Sequence, residues 1–488
     1  MTTIEHAPNG FKRFTASRVE CPLCGATDVD YEFVLERVAF LQCRGCELLF
    51  VSPGASHAIR VAEAAVTPGA ADEAALGALL RFVERYAGEA PRRPVVLAER
   101  EGAALAGVPV RAVDSLSPDE RFDTIVVKTL GRENDPVEML SRLKGYLEPR
   151  GTIVLLTPST ASQAARRERA AWPPLRDGGR YFFSTDNLQL LATRCGLGDF
   201  ISFVDARDLT DVPSEHLTTW FSSHTALLCR PVEREARRLL SVIFPVYNEA
   251  KTVETSLRRV LEKEIPGVDL EVVVVESNST DGSRRIVESF RGHPRVRLVL
   301  EDRPRGKGYA VRTGLRHASG EVVLFQDADL EYDVDDYDEL VAPLFELRRN
   351  FVLGSRHNAR GEAWKIRHFV EQPGVSALAN LAHVVLLTMF NALYRTKLRD
   401  PFTMFKVFRR DCLYGLSFEC DRFDFDFEIN IKLLRKGYRA LELPVNYLSR
   451  SWGEGKKVSF FGDPPTWVRA MLKLRRAPLY SAQSASGR

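Results

Sequence analysis

The chain contains no uninterrupted apolar run long enough to cross a bilayer. Its most apolar stretch, Ala377 to Tyr394, is broken by Asn380, His383, Thr388 and Asn391. Such interruptions exclude an ordinary spanning helix and leave one that is buried or rests on a membrane surface. The opening residues "MTTIEHAPNGFKRFTASRVE" lack an apolar core, so no secretory leader is expected. Neither sign of charge dominates, with 68 Lys and Arg against 65 Asp and Glu for a net +3. No nucleic-acid partner is expected. Cysteine is scarce at eight residues. Without a secretion signal these read as thiols or metal ligands in a reducing cytoplasm, not as a disulfide framework. No internal repeat is present. What remains is ordinary soluble composition, 45% apolar and 27% charged, over 488 residues. That length is too great for one core and predicts two or three domains.

Four of the eight cysteines form two C-x-x-C pairs, Cys21 with Cys24 and Cys43 with Cys46, and each pair has glycine beside it. This spacing suits a tetrahedral four-thiolate zinc site. A closed site of this kind leaves no open coordination position, so its expected role is structural: it holds together a segment too small for its own core.

Three segments follow from the pattern. The first, 1–55, carries the cysteines. The second, 56–235, alternates strands such as "FDTIVV" and "GTIVLLTP" with the amphipathic helix "DPVEMLSRLKGYL". The charged joint "RPVEREARRLL" leads to the third, 240–488. There strands "LLSVIFPVY", "LEVVVVES", "VRLVLED" and "EVVLFQDAD" alternate with helices "NEAKTVETSLRRVLEK", "RRIVESF" and "RGKGYAVRTGLRHA". Strands separated by helices imply an α/β fold with a mostly parallel, doubly wound sheet.

The last of those strands runs into a crowd of acids: Asp327, Asp329, Glu331, Asp333, Asp335 and Asp336. Packed carboxylates repel and raise one another's pKa. An extended chain would put Asp327 and Asp329 on the same side, with Glu331 next at the same alternation. The carboxyl edge of a parallel sheet is where such folds bind ligands. Hard divalent ions want several carboxylate oxygens and keep positions open for phosphate. These three acids therefore read as ligands for Mg²⁺ or Mn²⁺ that would bridge a diphosphate. Asp333, Asp335, Asp336 and Asp338 read as a solvated helix start, where carboxylates suit the dipole.

The motifs "SVIFPVYNEAKTVETSL", "EVVVVESNSTDGS", "RGKGYAVRTGLRHASGEVVLFQDADLEYD" and "GSR", in this order, resemble family 2 glycosyltransferases of the GT-A fold. "DPFTMFKVFRRD", "FDFDFEINIKLLRKGYRALELPVNY" and "RSWGEGKK" resemble the branch with dolichyl- and polyprenyl-phosphate sugar transferases. The resemblance spans nearly all of 240–463. It implies inverting transfer from a nucleotide-diphosphate sugar to a polyprenyl phosphate or a cell-surface glycan. Pro245, Tyr247 and Glu249 fall where the family cradles base and ribose. Glu276 replaces the family's usual Asp, and Lys307 is a candidate donor contact. Asp327, Asp329 and Glu331 would hold the metal. Arg356 matches a position associated with the acceptor phosphate, with an ion pair to the acidic loop as its alternative. Arg450 and Lys456 match cations that face phosphates, as their chemistry suits. Asp426 or Glu428 would line the acceptor pocket, one of them as general base for a hydroxyl acceptor. A phosphate acceptor would need no strong base. Asp281 is expected to shape its turn, and Asp400 either caps a turn or lines the pocket.

The middle segment is similar to class I methyltransferases that carry an N-terminal zinc ribbon. The likeness lies in "RFDTIVVKTLGRENDPVEMLSRLKGYLEPRGTIVLLTPS" and "RYFFSTDNLQLLATRCGLGDF". The family's Gly-rich loop after the first strand is absent. "VVLAEREGAALAG" stands there, with Glu99, Arg100 and Glu101 where backbone should approach the cofactor. This favours a degenerate, abbreviated Rossmann-like domain that does not bind S-adenosylmethionine, over a divergent working methyltransferase. Such a module would bind a protein partner or position the transferase. After Pro464 there are five basic residues and no acidic ones. A helix there, or Ala377–Tyr394, could rest on an anionic leaflet. The expected location is the cytoplasm, with peripheral contact on the inner face of the cytoplasmic membrane.

Overall fold

The computed structural model describes residues 5–6, 12–13, 19–53, 69–87, 89–233, 238–357, 373–448 and 463–480. Arg450 and Lys456 lie outside the described residues.

Near the N-terminus, β1 (Val29–Leu35) and β2 (Val38–Cys43) pair antiparallel, and β3 (Leu49–Val51) adds to β2. The β1–β2 turn is closed by Glu36 and Arg37, both at positive φ, as two-residue hairpin turns require. This small sheet is completed by a strand from much later in the chain, Tyr181–Phe182, which pairs with β3. Its core is likewise shared: Cys21, Cys43, Cys46 and Phe50 pack in one cluster with Leu97, Ile125, Leu140 and Leu191. The cysteine segment is thus built into the middle segment.

The middle segment comprises α1 (Ala70–Ala87), β4 (Pro94–Ala98), β5 (Gly102–Leu105), β6 (Val108–Ala112), β7 (Phe122–Val127), α2 (Pro136–Leu143) and β8 (Leu147–Pro158). After the small-sheet strand β9 (Tyr181–Phe182) come α3 (Thr185–Arg194), β10 (Leu197–Phe203), α4 (Glu215–Phe221) and β11 (His224–Pro231). Its seven-stranded sheet runs in the order β10-β11-β8-β7-β4-β6-β5. β4, β6, β7 and β8 are parallel. β11 is antiparallel to both its neighbours. After β4 the chain enters the β5–β6 hairpin directly, without an intervening helix. The helices α2 and α3 begin where Asp135 and Ser184 cap free backbone N–H groups.

The third segment starts with β12 (Leu239–Val246), α5 (Val253–Glu262), β13 (Asp269–Glu276), α6 (Ser283–Glu288), β14 (Val296–Leu300), α7 (Lys307–His317) and β15 (Val322–Phe325). It continues with α8 (Tyr337–Phe345), β16 (Phe351–Ser355), α9 (Pro373–Tyr394), β17 (Lys406–Arg409), α10 (Phe425–Arg435), β18 (Leu441–Pro444) and α11 (Asp463–Leu474). The sheet order is β14-β13-β12-β15-β17-β16-β18. β17 is antiparallel to both neighbours, and the other pairings are parallel. Each strand and helix expected for the first half of this segment is present. Val272 to Val275 are fully buried, so this run reads as a strand covered on both faces. Burial of each such side chain contributes on the order of 1.5–3 kcal/mol. The carboxyl ends of β12, β13 and β15 share one edge and carry the candidate site.

Among the described residues no helix is long and apolar enough to cross a membrane.

Candidate functional site

Two loops frame the first half of the site. Beyond β12, the backbone N–H groups of Asn248 and Glu249 donate to Ser279 Oγ at 2.9 Å and Ser283 Oγ at 2.8 Å. Asn248 Oδ1 accepts from the Thr280 N–H at 2.9 Å. Asp281 accepts from the N–H of Ala250 at 2.9 Å and of Ser283 at 3.0 Å, so it shapes the turn as expected. Pro245 is paired within β12, opposite Val275, while Tyr247 and Glu249 follow on the laced loop, with Tyr247 38% exposed. Glu276 is fully buried at the end of β13. Its carboxylate accepts from the N–H of Asn278 at 3.2 Å and of Ser279 at 2.6 Å, and it pairs with Arg284. Those partners make Glu276 the organiser of the turn that follows β13.

The acidic stretch is not extended, contrary to the alternation expected for it. Strand β15 stops at Phe325 and residues 328–330 form a turn, with Leu330 at a φ of 63°. Asp329 Oδ1 accepts from the Glu331 N–H at 3.1 Å and holds that turn. Asp327 lies inward, where its carboxylate accepts from Lys307 Nζ at 2.7 Å. Burial raises the Asp327 pKa, with Lys307 opposing the rise and Asp426 and Glu331 adding to it. Burial alone would lower Lys307, but Asp327, Asp426 and Asp329 more than offset it and its pKa is raised. Glu331 Oε2 accepts from the Tyr447 hydroxyl at 2.9 Å. Among the described residues the four cysteines are the one group of three or more potential metal ligands that converge. Asp327, Asp329 and Glu331 do not.

The other wall is built from α7 and α10. Gly308, in the first turn of α7, lies so near α10 that a Cβ there would stand 2.6 Å from both the Cys420 carbonyl and Phe425 Cβ. Glycine is required for that approach, which brings Lys307 toward the first turn of α10. Phe423 has Lys307 Nζ 5.8 Å from its ring centre. Asp426 is on that turn, 3.3 Å from Lys406 Nζ. Lys406 is fully buried, and burial lowers its pKa while Asp426 opposes the loss. Glu428, two positions on, is fully buried and accepts from the N–H of Glu419 at 3.0 Å, of Cys420 at 2.8 Å and from Lys432 at 2.7 Å. Its oxygens are committed to holding the 419–420 loop.

Arg356, at the end of β16, is clamped by Asp400. The Asp400 carboxylate accepts from the Arg356 backbone N–H at 2.9 Å, from Nε at 2.8 Å and from Nη2 at 2.7 Å. Burial would raise the Asp400 pKa, but the guanidinium holds it down to about 2. The Tyr447 ring lies 5.5 Å from the Arg356 guanidinium carbon. Reading the sequence missed Lys406 and Tyr447. A lysine inside the buried strand "KVFR" was the available signal for the first.

The Sγ atoms of Cys21, Cys24, Cys43 and Cys46 lie within 4.8 Å of one another. Three of these cysteines are buried.

Residues 241–414 match the family described as Glycosyl transferase family 2. The glycosyltransferase AglD of Haloferax volcanii is 29% identical over 230 residues, covering 45% of this chain and 35% of that protein. The dolichyl-phosphate beta-glucosyltransferase ALG5C of Trichomonas vaginalis is 26% identical over 48% of this chain and 67% of its own length. The dolichol-phosphate mannosyltransferase of Pyrococcus furiosus is 26% identical over 44% of this chain and 58% of its own. The chain thus spans between a third and two thirds of these relatives. Glucosyl-3-phosphoglycerate synthase from Mycobacterium tuberculosis, solved with Mn²⁺, UDP-glucose and phosphoglyceric acid, superposes with a TM-score of 0.37 at 20% identity, over 49% of this chain and 81% of that one. The chain carries a glycosyltransferase domain of family 2, related to dolichyl-phosphate sugar transferases.

Proposed function

We propose that the protein is a metal-dependent, inverting glycosyltransferase that moves a sugar from a nucleotide-diphosphate donor to a polyprenyl phosphate. The observation that carries this reading is the juxtaposition of Asp327 and Asp329 with Lys307, Asp426 and Lys406 at one sheet edge. Two carboxylates are enough for Mg²⁺ or Mn²⁺, because such ions take their remaining ligands from phosphate and water. The bound ion would neutralise charge on the departing nucleoside diphosphate. Glu331 serves by orienting Tyr447, not as a third ligand.

In the transfer, an acceptor oxygen bonds to the anomeric carbon of the sugar as the bond from that carbon to the diphosphate oxygen breaks. Lys307 is the nearby cation for the leaving diphosphate. Arg356 is the cation for an acceptor phosphate and must share or release Asp400 to meet it. A phosphate acceptor is already anionic and needs no base. A glycan hydroxyl would hand its proton to Asp426, the one of the two expected acids that is not committed to structural N–H groups. Arg450 and Lys456 stay assigned to phosphate by resemblance. Glu276 acts on the base through its loop.

The four cysteines fit a structural Zn²⁺. In the middle segment, the ion pairs of Glu99 with Arg132 at 2.9 Å and Glu101 with Arg111 at 3.2 Å occupy the turn after β4. A hairpin follows where a methyltransferase would need a Gly-rich turn and a helix N-terminus. These residues do not fit S-adenosylmethionine. Peripheral membrane contact is supported by α9, whose Leu381 and Val385 are 60% and 59% exposed.

The test is a thermal-shift panel of UDP-, GDP- and ADP-sugars, with and without Mn²⁺, on the wild type and Asp329→Asn. Stabilisation by one nucleotide class that needs metal and is lost in the variant is expected. The absence of any shift from every donor would overturn the reading.

A further inference from the structure

The helix α10 begins in the candidate site and ends on the middle segment. Asp426 lies in its first turn. The five residues from the end of the helix onward, Arg435 to Arg439, are each seated on a different residue of the middle segment. Arg435 pairs with the buried Asp208. Lys436 Nζ donates to the Phe200 carbonyl at 2.9 Å, and the Lys436 carbonyl accepts from Ser202 Oγ at 2.6 Å. Gly437, at a φ of 95°, lies so close that a Cβ would stand 2.7 Å from Thr185 Oγ1 and 2.8 Å from Val204 Cγ1. The Tyr438 hydroxyl bonds Gln189, and the Arg439 N–H donates to Asp186 at 3.4 Å.

Beside the apolar contacts of Tyr414 and Tyr480 with Phe82, Tyr86 and Phe203, this junction holds a buried polar network. Thr185, Gln189, Ser202, Asn350 and Lys436 are all fully buried there. Every member of a buried polar network must be satisfied, and that fixes one geometry where an apolar seam would tolerate several. The Lys436 ammonium reaches three carbonyls at once, Phe200 in the middle segment and Cys412 and Tyr414 in the transferase. The cysteine knuckle joins the same junction. Glu47, directly after Cys46, pairs with Arg349 at 2.8 Å and Arg439 at 3.6 Å. The Arg44 carbonyl accepts from Arg349 at 3.1 Å.

Helix α10 can carry this anchoring to the site. From Asp426 to Arg435 it spans about 14 Å. Phe425, Phe427, Ile429, Ile431 and Leu433 are all buried along it. Side chains packed to interior density transmit displacement instead of absorbing it.

We infer that the cysteine knuckle and middle segment are an integral positioning body of the transferase: by gripping residues 435–439 they set the place of α10 and, through it, of Asp426. The part of this inference that concerns turnover rests on the glycosyltransferase reading; the mechanical coupling does not. Arg435, Lys436, Gly437 and Tyr438 are positioning residues, because none touches the candidate site.

The experiment uses the full chain with Asp208→Asn and Gln189→Ala, both in the middle segment, and Asp208→Glu as the conservative control. Hydrogen exchange is read without any substrate. The amides of 425–429 should exchange about tenfold faster in the first two variants, while those of β12 and β15 hold their protection and Asp208→Glu stays near wild type. Exchange that rises only at 185–208 and 435–439, or uniformly across the molecule, would overturn the inference. With the donor found by the nucleotide panel, kcat should fall about tenfold and donor KM should stay within about twofold, because the donor loops are untouched. Unchanged kcat with loosened 425–429 would also overturn it. If no donor turns over in the wild type, the transferase reading has failed and the exchange result alone decides the coupling.

Discussion

The Lys307 ammonium lies 2.7 Å from the Asp327 carboxylate, at the place where a divalent ion is proposed to bind. A divalent ion held there would compete with the ammonium for one oxygen set, and in that ion's absence the lysine would be an internal counter-ion. Replacing it leaves Asp327 facing Asp426 and Glu331, which raise its pKa and its appetite for a cation.

Lys307→Met should therefore bind Mn²⁺ about tenfold more tightly without nucleotide, since each tenfold is only about 1.4 kcal/mol. Donor turnover should fall by about tenfold or more, because a cation facing the leaving diphosphate is gone. Titration of Mn²⁺ by calorimetry, with and without nucleotide, checks this. Unchanged or weaker metal binding would show that the ammonium does not compete.

Asp426 and Glu428 should separate cleanly, although they are two residues apart on one helix. Glu428 holds two backbone N–H groups and Lys432 in full burial. Glu428→Gln leaves that lysine without its charge partner and should destabilise the fold by about 3 kcal/mol. Asp426→Asn takes the charge partner from the buried Lys406, which keeps the Thr403 carbonyl as an acceptor and has a pKa already lowered by burial, so it should cost less, about 1 kcal/mol. Its effect on turnover distinguishes acceptors: a loss of about 10²-fold or more for a hydroxyl that needs a base, and under tenfold for a phosphate. Denaturant unfolding and initial rates give both numbers. A Glu428→Gln protein as stable as wild type would reverse the assignment.

The parallel strands, the two C-x-x-C pairs and the sheet edge with its acids were legible in the sequence, because periodicity and short motifs are local. The turn at 328–330 was not. "FQDADLE" has the alternation of a strand, but the register of β15 with β12 ends at Phe325, and Leu330 in the left-handed region ends the extension. The clamp of Asp400 on Arg356 joins residues 44 apart, and the grip of Gln189 on Tyr438 joins residues 249 apart. No local pattern encodes such pairings. The boundary near residue 55 marks a change in composition, yet Tyr181–Phe182 pairs back across it, since a three-stranded knuckle gains from any further strand that lengthens its sheet.

The cysteine cluster should hold about one zinc per chain, with no role in transfer. Cys24→Ser should lose the metal and lower the melting temperature by about 5 °C or more, because zinc binding is coupled to folding of its segment. Arg44 and Glu47 flank the ligands and touch Arg349, so loss of metal should also loosen the transferase junction. Elemental analysis and calorimetry of the full chain measure both. A metal-free chain that melts as the wild type does would exclude the structural zinc.

Asp186 sits in the junction, where burial raises its pKa to about 6. Asn350 and Arg349 oppose that rise and Glu47 adds to it. A raised carboxyl binds its proton more tightly in the folded protein than in the unfolded chain. Its contribution to stability is therefore full below the ordinary carboxylate range and is lost as pH rises through about 6. Asp186→Asn cannot titrate, and its amide oxygen can still accept from Asn350. The stability of wild type minus that of Asp186→Asn should thus be largest near pH 4.5 and shrink toward pH 7. Denaturant midpoints of the two proteins across that range test this directly. A difference that grows with pH would mean that Arg349 outweighs burial, and that Asp186 works as a charged partner across the junction.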